Sequence, residues 1–202
     1  MDEAYFRHIQ EHPEISHGDV RLIRSRCPHA RRILDVGCGR GGFLEICRRE
    51  LTEAIGLDAE EAAGRLCASQ RLPFVLADAA KLPFADRALD VVRAKEVIEH
   101  LPDPRPMLQE IRRVLRPNGL LLAHVPTQFS TFYPIGNFWD DYTHVRPLSH
   151  TGLHRLLSDA GFSVQLVRGY TAGRNPFERA LGRALALVVP HTWLALGTKE
   201  AA

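Results

Sequence analysis

Short apolar runs alternate with helix-like stretches from Arg31 onward, and this alternation predicts the fold. The runs predicted as strands are Arg32–Val36, Glu53–Leu57, Phe74–Ala77, Leu89–Ala94 and Gly119–Val125. Before the last of them, apolar residues recur at helical spacing over Pro106–Arg116, and Pro117-Asn118-Gly119 ends that helix. Strands that alternate with helices imply parallel strands joined by right-handed crossovers. We therefore expect an α/β domain with helices on both faces of a mostly parallel sheet and with ligands at the carboxyl ends of its strands.

The two ends of this pattern differ from its middle. Residues 1–30 are polar and are predicted to form an N-terminal helical segment, whereas residues 127–149 mix aromatic and charged side chains without a period. A connection that long is typical of a lid or a binding loop. The elements predicted after it are a helix over His150–Ala160, a strand over Phe162–Val167, a helix over about Pro176–Val189 and a last strand over Trp193–Gly197. Because 202 residues suit one ordinary domain, a single domain is expected over residues 1–202.

A glycine-rich turn follows the first predicted strand. In Gly37-Cys38-Gly39-Arg40-Gly41-Gly42 the missing Cβ atoms let the backbone turn tightly and approach a ligand closely. The same letters satisfy the dinucleotide pattern G-x-G-x-x-G through Gly37, Gly39 and Gly42. That pattern alone does not separate a dinucleotide from another nucleoside cofactor.

Three acidic residues near the ends of successive strands narrow the choice of cofactor. Asp35, two positions before the glycines, suits a cofactor that carries an amino group and a sulfonium charge. Asp58 lies about 20 residues beyond the glycines, where a carboxylate can accept hydrogen bonds from both ribose hydroxyls, and a dinucleotide site would need the same acid. Asp78 follows the third strand and is placed to meet the exocyclic amine of an adenine.

Over about residues 31 to 126 the sequence resembles the class I S-adenosylmethionine-dependent methyltransferases. The segments that carry the resemblance are Ile33–Gly41, Gly56–Asp58, Asp78–Phe84, Leu89–Val92 with Glu96–Leu101, and Arg113–Leu121, in the order of the family's motifs. The resemblance implies a Rossmann-like, seven-stranded, mostly parallel sheet whose last strand is antiparallel, and S-adenosyl-L-methionine as the cofactor. Carried over by position, the cofactor-binding residues are Asp35, Gly37, Cys38, Gly39, Asp58, Ala59, Asp78, Ala79 and Lys95. Lys95 departs from the family, which often has a small residue there.

The segment Trp139–Pro147 resembles acceptor-side segments of some small-molecule and sugar methyltransferases. His144 is predicted as a catalytic base that Asp141 or Asp140 orients, because an unperturbed imidazole titrates near ~6.5. Trp139, Asp140 and Arg146 are predicted to contact the substrate, with Arg146 on an anionic group. The alternative is an acid–base network that only shapes the loop. Donor atoms for a metal ion are present, but their spacing demands none, and no metal site is expected.

His100 is a second catalytic candidate, because it follows the fourth strand near the region of the family's active site. The alternative is that it packs the loop Pro102-Asp103-Pro104. His124, inside a predicted strand, and His150 are interpreted as structural.

Composition narrows the expected partners. Lys and Arg total 26 against 24 Asp and Glu, and a formal charge of +2 gives no electrostatic reason to expect nucleic acid or a membrane. The four cysteines form no C-x-x-C pair, and the acidic N-terminus does not resemble a secretory signal, so a soluble cytoplasmic protein is expected.

The predicted function is methyl transfer to an oxygen or nitrogen of a small-molecule acceptor, with sugars and natural-product intermediates among the candidates. The alternatives are an NAD-dependent oxidoreductase, against which the absence of a Tyr-x-x-x-Lys pair argues, and a non-catalytic binding module that keeps the fold.

Overall fold

The computed structural model describes residues 13–50, 54–132, 138–170 and 190–200. Its α-helices are α1 Pro13–Arg26, α2 Gly42–Glu50, α3 Glu61–Ser69, α4 Arg105–Val114 and α5 His150–Asp159. Its strands are β1 Ile33–Val36, β2 Ala54–Asp58, β3 Phe74–Leu76, β4 Leu89–Lys95, β5 Leu115–Pro126, β6 Phe162–Tyr170 and β7 Thr192–Lys199. Short 3-10 helices cover Ile98–His100, Gln128–Phe132 and Phe138–Asp140.

All seven strands form one sheet in the order β3-β2-β1-β4-β5-β7-β6. The pairs among β1 to β5 are parallel, and β7 runs antiparallel to both β5 and β6. This confirms the predicted sheet and its antiparallel last strand. After β1 the chain builds outward through β2 and β3 and returns to β4 on the other side of β1. The direction of winding therefore reverses between β1 and β4, where open α/β sheets bind ligands.

Side chains alternate between the two faces of the sheet, and each face has its own apolar core. Along β1, Ile33 packs with α1 and α2, whereas Leu34 and Val36 pack with α4 and α5. The same alternation in β4 and β5 directs Arg93 and His124 toward the face that α1 covers. Burial of both faces explains why the strands read as nearly continuous apolar runs.

One predicted boundary is wrong by a few residues. The helix expected to continue to Arg116 ends at Val114, because Leu115 already pairs with Leu89 at the start of β4. Within β5, Asn118 has φ 60°, a conformation that Asn tolerates better than most residues, and it lies where the register against β4 shifts between Leu115 and Leu120.

The predictions for the N-terminal segment, the segment 127–149 and the late helix are each tested to a different extent. Helix α1 confirms a helix within the N-terminal segment, and the helix predicted over about Pro176–Val189 lies outside the described residues. Within the segment 127–149 the described residues form two 3-10 helices and a bridge between Thr127 and Leu148. Among the described helices, none has the length and apolar character that crossing a bilayer requires.

Candidate active site

The glycine turn joins the end of β1 to α2 at the reversal of winding. Gly37, Gly39 and Gly41 have φ of 69°, 52° and 83°, which side chains with a Cβ rarely adopt. A Cβ atom on Gly37 would also overlap Cγ2 of Val97, which follows β4. The backbone amides of Gly37 and Cys38 donate to the Leu57 carbonyl over 2.8 and 3.2 Å. The turn is therefore fixed to β2 and lies against the segment after β4.

Asp58, at the carboxyl end of β2, has both carboxylate oxygens engaged by backbone. Oδ2 accepts from the amide of Gly39 at 3.0 Å, and Oδ1 accepts from the amide of Glu60 at 3.1 Å. Burial raises the pKa of this carboxyl, and those amides oppose the rise. The ribose-binding candidate is thus half-buried, held in place and next to the glycine turn.

The other cofactor candidates surround the same edge of the sheet. Asp78 is exposed, and its Oδ1 accepts from the Ala80 amide at 2.8 Å. Ala59 is exposed and Ala79 half-buried beside these acids. Cys38 is buried, and a hydrogen bond with Cys67, together with burial, raises the pKa of its thiol, so the thiol stays protonated.

Asp35 is buried within β1, beside an arginine of β4. It is 2% exposed and lies directly across from Arg93 on β4, and its Oδ1 accepts from the guanidinium at 2.9 Å. Arg93 also donates to Asp19 of α1 at 2.7 Å, and the Nε2 atom of His124 donates to the other oxygen of Asp19 at 2.9 Å. The predicted contact of Asp35 with a cofactor amino group thus competes with an ion pair to Arg93.

In this buried network the charges outweigh burial at Arg93 and Asp19, whereas at Asp35 burial outweighs Arg93 and raises the pKa. Burial alone would lower the pKa of Arg93, but the carboxylates of Asp35 and Asp19 raise it further than burial lowers it. Burial would likewise raise the pKa of Asp19, but His124 and Arg93 outweigh it and the pKa is lowered. The guanidinium also lies 4.4 Å from the ring centroid of Phe43. Arg93 was not among the residues predicted from the sequence, although a charged residue inside an apolar strand was a signal for it.

The chain after β4 is strained where it leaves the sheet. Glu96 has φ 56°, which non-glycine residues seldom adopt and which recurs at active sites and ligand-binding segments. The ammonium of Lys95 binds its carboxylate at 2.6 Å. Lys95, the cofactor-site candidate that departs from the family, is therefore engaged by its neighbour.

The segment 138–146 packs onto the segment 96–103 through three links. The Val145 amide donates to the Glu99 carbonyl at 2.8 Å. The guanidinium of Arg146 donates to the Pro102 carbonyl. The third link joins Nδ1 of His100 to Oγ1 of Thr143 at 2.8 Å. Residues more than 40 positions apart in the sequence are thereby brought together at the carboxyl edge of the sheet.

Hydrogen bonds around Thr143 determine which ring nitrogen of His100 carries the proton. The Thr143 hydroxyl donates to Oδ1 of Asp141 at 2.6 Å, so it accepts the bond from His100. Nδ1 of His100 therefore carries the proton, and Nε2 has a lone pair. Burial lowers the pKa of this imidazole, and His144 lowers it further. The Asp141 carboxylate predicted to orient His144 thus acts on His100 through Thr143.

His144 is held by a different acceptor. Its Nδ1 donates to the Phe138 carbonyl at 2.6 Å, so its Nε2 also has a lone pair in the neutral ring. The rings of His100 and His144 lie 4.6 Å apart between centroids. Both predicted catalytic histidines are therefore neighbours, and each is oriented through Nδ1.

Glu99 completes this group, and the sequence analysis did not single it out. Its side chain is 0% exposed, and in the described part of the chain neither carboxylate oxygen accepts a hydrogen bond from another residue. One potential metal-ligand atom from each of Glu99, His100 and His144 lies within 4.8 Å of the other two. The signal in the sequence was an acid and a histidine side by side just after a strand.

The remaining substrate candidates lie at the rim of this region. Trp139 is 58% exposed and packs edge-on against Phe138 at 4.7 Å. Asp140 is exposed, and Arg146 is half-buried with its guanidinium on the Pro102 carbonyl. An apolar wall at Trp139 is compatible with this placement, whereas a substrate anion at Arg146 would share the guanidinium with a backbone carbonyl.

A family model described as a methyltransferase domain matches residues 6–167, which include the glycine turn, Asp58, Asp78 and the histidine pair. The chain belongs to the class I S-adenosylmethionine-dependent methyltransferases. Membership assigns S-adenosyl-L-methionine as the cofactor and decides against the dinucleotide that the glycine pattern also fits.

Individual relatives agree with this assignment. A probable S-adenosylmethionine-dependent methyltransferase of Mycobacterium tuberculosis is 37% identical over 69% of this chain and 51% of its own length. A fatty-acid O-methyltransferase of Mycolicibacterium smegmatis is 29% identical over 87% of this chain and 64% of its own. The crystal structure of a methyltransferase from Archaeoglobus fulgidus shares the fold with a TM-score of 0.74 at 24% identity, covering 98% of this chain and 97% of that one. The chain spans about half the length of the first of these relatives.

Proposed function

We propose that the chain transfers a methyl group from S-adenosylmethionine to a hydroxyl oxygen of a small-molecule acceptor. The observation that carries this proposal is the pair of imidazoles whose Nδ1 atoms are engaged and whose Nε2 atoms have lone pairs. A hydroxyl must lose its proton during methylation, and such nitrogens are suited to activate it. The fatty-acid O-methyltransferase relative supports an oxygen acceptor.

The cofactor fits the residues at the glycine turn. Gly37 and Gly39 have positive φ angles that let the turn pass close to a ligand, and Asp58 holds two oxygens in fixed positions at the end of β2. We assign the ribose hydroxyls to Asp58 and the adenine amine to the exposed Asp78. When bound, S-adenosylmethionine supplies a methyl group on a positively charged sulfur, which keeps the electron pair of the carbon–sulfur bond as the acceptor oxygen takes the methyl carbon.

The chain's own contribution is largely positioning. The acceptor oxygen must approach from behind the methyl carbon, and fixed geometry of this kind can account for much of the rate. Val97 packs on the glycine turn, and His100, one of the two histidines, follows Val97 by three residues in the sequence. We infer that the segment 138–146, which Val145, Thr143 and Arg146 link to the segment after β4, covers the acceptor and limits access of water.

Calorimetry tests the cofactor part. S-adenosylhomocysteine should bind the purified protein, and Asp58→Ala should weaken binding by about 10- to 100-fold, because hydrogen bonds to a charged group contribute about 1.5–3 kcal/mol. Asp159→Ala, which removes an exposed acid on α5, is the control and should leave the affinity unchanged. Equal affinity in wild type and Asp58→Ala would remove Asp58 from the ribose site.

Methyl transfer to matched acceptors tests the hydroxyl part. We expect labelled methyl to pass to a long-chain alcohol or phenol, and His100→Ala to lower turnover by about 10²- to 10⁴-fold, the range for proton transfer by a side chain. A carboxylate acceptor is already deprotonated, so its rate of methylation should not change in His100→Ala. His154→Ala, on the exposed face of α5, is the control. Equal losses with both acceptors would contradict a role in hydroxyl activation.

A further inference from the structure

We propose that Glu99, His100 and His144 bind a divalent transition-metal ion beside the cofactor turn, and that this ion is the device that activates the acceptor hydroxyl. The second half of the statement rests on the proposed function, whereas the first concerns metal binding alone. No metal site was expected from the sequence; the structure brings Glu99 and His100 of the segment after β4 next to His144.

The strongest observation is the buried carboxylate of Glu99. Burying a carboxyl group without a hydrogen-bond partner is costly, and proteins normally provide a partner or a metal ion. Both oxygens of Glu99 are buried and, within the described residues, lack a partner. A cation bound to these oxygens would satisfy them.

The two histidines are oriented as metal ligands usually are. A metal-binding imidazole typically donates its other ring N–H to a carbonyl or to a group tied to a carboxylate, which fixes the tautomer. His144 donates Nδ1–H to the Phe138 carbonyl, and His100 donates Nδ1–H to the Thr143 hydroxyl, which is bonded to Asp141. In each neutral ring the lone pair of Nε2 can therefore bind a metal ion.

The spacing of the three groups is close to that of a metal site. Ligand atoms at the corners of a triangle with 4.8 Å edges lie about 2.8 Å from its centre, so they need to move by less than about 1 Å to reach zinc bonds of about 2.0–2.2 Å. Two imidazoles and one carboxylate favour zinc or another first-row transition metal over Mg²⁺ and Ca²⁺, which prefer oxygen ligands. Both histidines are half-buried, so an ion can enter from their side.

The surrounding charges also favour a cation. The carboxylates of Glu96 and Asp141 both raise the pKa of Glu99, in addition to burial, and Lys95 opposes them. Lys95 in turn is paired with Glu96. The charged groups that act on Glu99 thus include two acids and one base, and a divalent ion would relieve the repulsion among the acids.

A bound ion would change how the acceptor is activated. Three protein ligands leave coordination positions open, as in catalytic zinc sites. An ion held by Glu99, His100 and His144 would lower the pKa of an acceptor hydroxyl, whose proton would pass to solvent while its oxygen kept the electron pair that forms the bond to the methyl carbon. Direct proton abstraction by His100 is not needed in this arrangement.

The first experiment measures metal binding without the reaction. Protein without a polyhistidine tag is stripped with a chelator and titrated with Zn²⁺ by calorimetry and with Co²⁺ by visible absorption. We expect one ion per chain, and at least about tenfold weaker binding in Glu99→Gln and His144→Ala. His154→Ala is the matched control and should bind like the wild type. S-adenosylhomocysteine affinity shows that each variant is folded.

The second experiment connects the ion to the reaction. Removal of the metal should abolish methyl transfer to a hydroxyl acceptor, leave S-adenosylhomocysteine binding unchanged, and be reversed by added Zn²⁺ or Co²⁺. Active protein that binds no stoichiometric metal, or variants that bind it like the wild type, would overturn the metal site and leave the proposed function intact. Stoichiometric metal that Glu99→Gln abolishes, in a protein that methylates no acceptor, would support the site and overturn the proposed function.

Discussion

Strand β4 and the segment that follows it each bury one ionisable side chain, and the surroundings of these two side chains are opposite. Arg93, within the strand, is surrounded by Asp35, Asp19 and the ring of Phe43. Glu99, four residues after the strand ends, is equally buried and, in the described part of the chain, receives no hydrogen bond from another residue. A buried charge with a structural role is normally paired with an opposite charge from the same chain. An uncompensated one beside the cofactor turn indicates a group whose partner comes from outside the chain.

The largest expected effect comes from breaking the compensated region. Arg93→Met should lower the free energy of unfolding by about 3–5 kcal/mol, because it leaves the carboxylates of Asp35 and Asp19 buried without their cation. Denaturant unfolding followed by circular dichroism measures this loss.

Arg105→Met is the control for that measurement. Arg105 pairs with Asp103 on the surface, where solvent screens the pair, so its removal should leave the free energy of unfolding almost unchanged. A similarly small loss for Arg93→Met would mean that the two buried acids are stable without the guanidinium, and the contrast with Glu99 would no longer hold.

Much of the cofactor side could be predicted from the sequence, and little of the acceptor side could. The glycine turn, Asp58 and Asp78 lie at the ends of consecutive strands, so strand order alone places them on one edge. Asp35 was identified, but its partner Arg93 was not, because the register of β1 against β4 is a tertiary property.

The histidine pair shows why the acceptor side was harder to predict. His100 and His144 were both candidates, yet 43 residues lie between them, and neither is near the other in any periodic pattern. Their contact depends on the hydrogen bond that the Val145 amide donates to Glu99 and on the one that Thr143 accepts from His100, within a stretch that has no regular secondary structure to anticipate. Glu99 became visible as a candidate only when its burial and its missing partners were known.

A smaller change in the free energy of unfolding is expected from Glu99, the buried carboxyl without a partner. In metal-free protein Glu99→Gln should leave the free energy of unfolding unchanged or raise it by about 1 kcal/mol, because it removes a carboxyl whose burial is not offset by a partner. Thermal and denaturant unfolding after chelator treatment measure the change.

Glu110→Gln provides the matched comparison for Glu99→Gln. The Glu110 carboxylate accepts from Arg113 and from the Leu82 amide, so its neutralisation should lower stability. If Glu99→Gln is destabilised as much as Glu110→Gln, Glu99 has a structural role and is not reserved for a ligand.

The smallest expected effect concerns the hydroxyl that orients His100. Thr143→Val keeps the shape of the side chain but removes the acceptor of the His100 Nδ1 proton and the donor to Asp141. We expect Zn²⁺ affinity and hydroxyl methylation to fall by about tenfold, the lower end of the range for groups that support metal ligands, with unchanged S-adenosylhomocysteine binding. Thr143→Ser restores the hydroxyl and should recover both, which a purely steric role of the threonine would not predict. Metal affinity and turnover that stay at wild-type values in Thr143→Val would show that His100 is oriented by its packing against His144, and that the two histidines do not depend on Asp141.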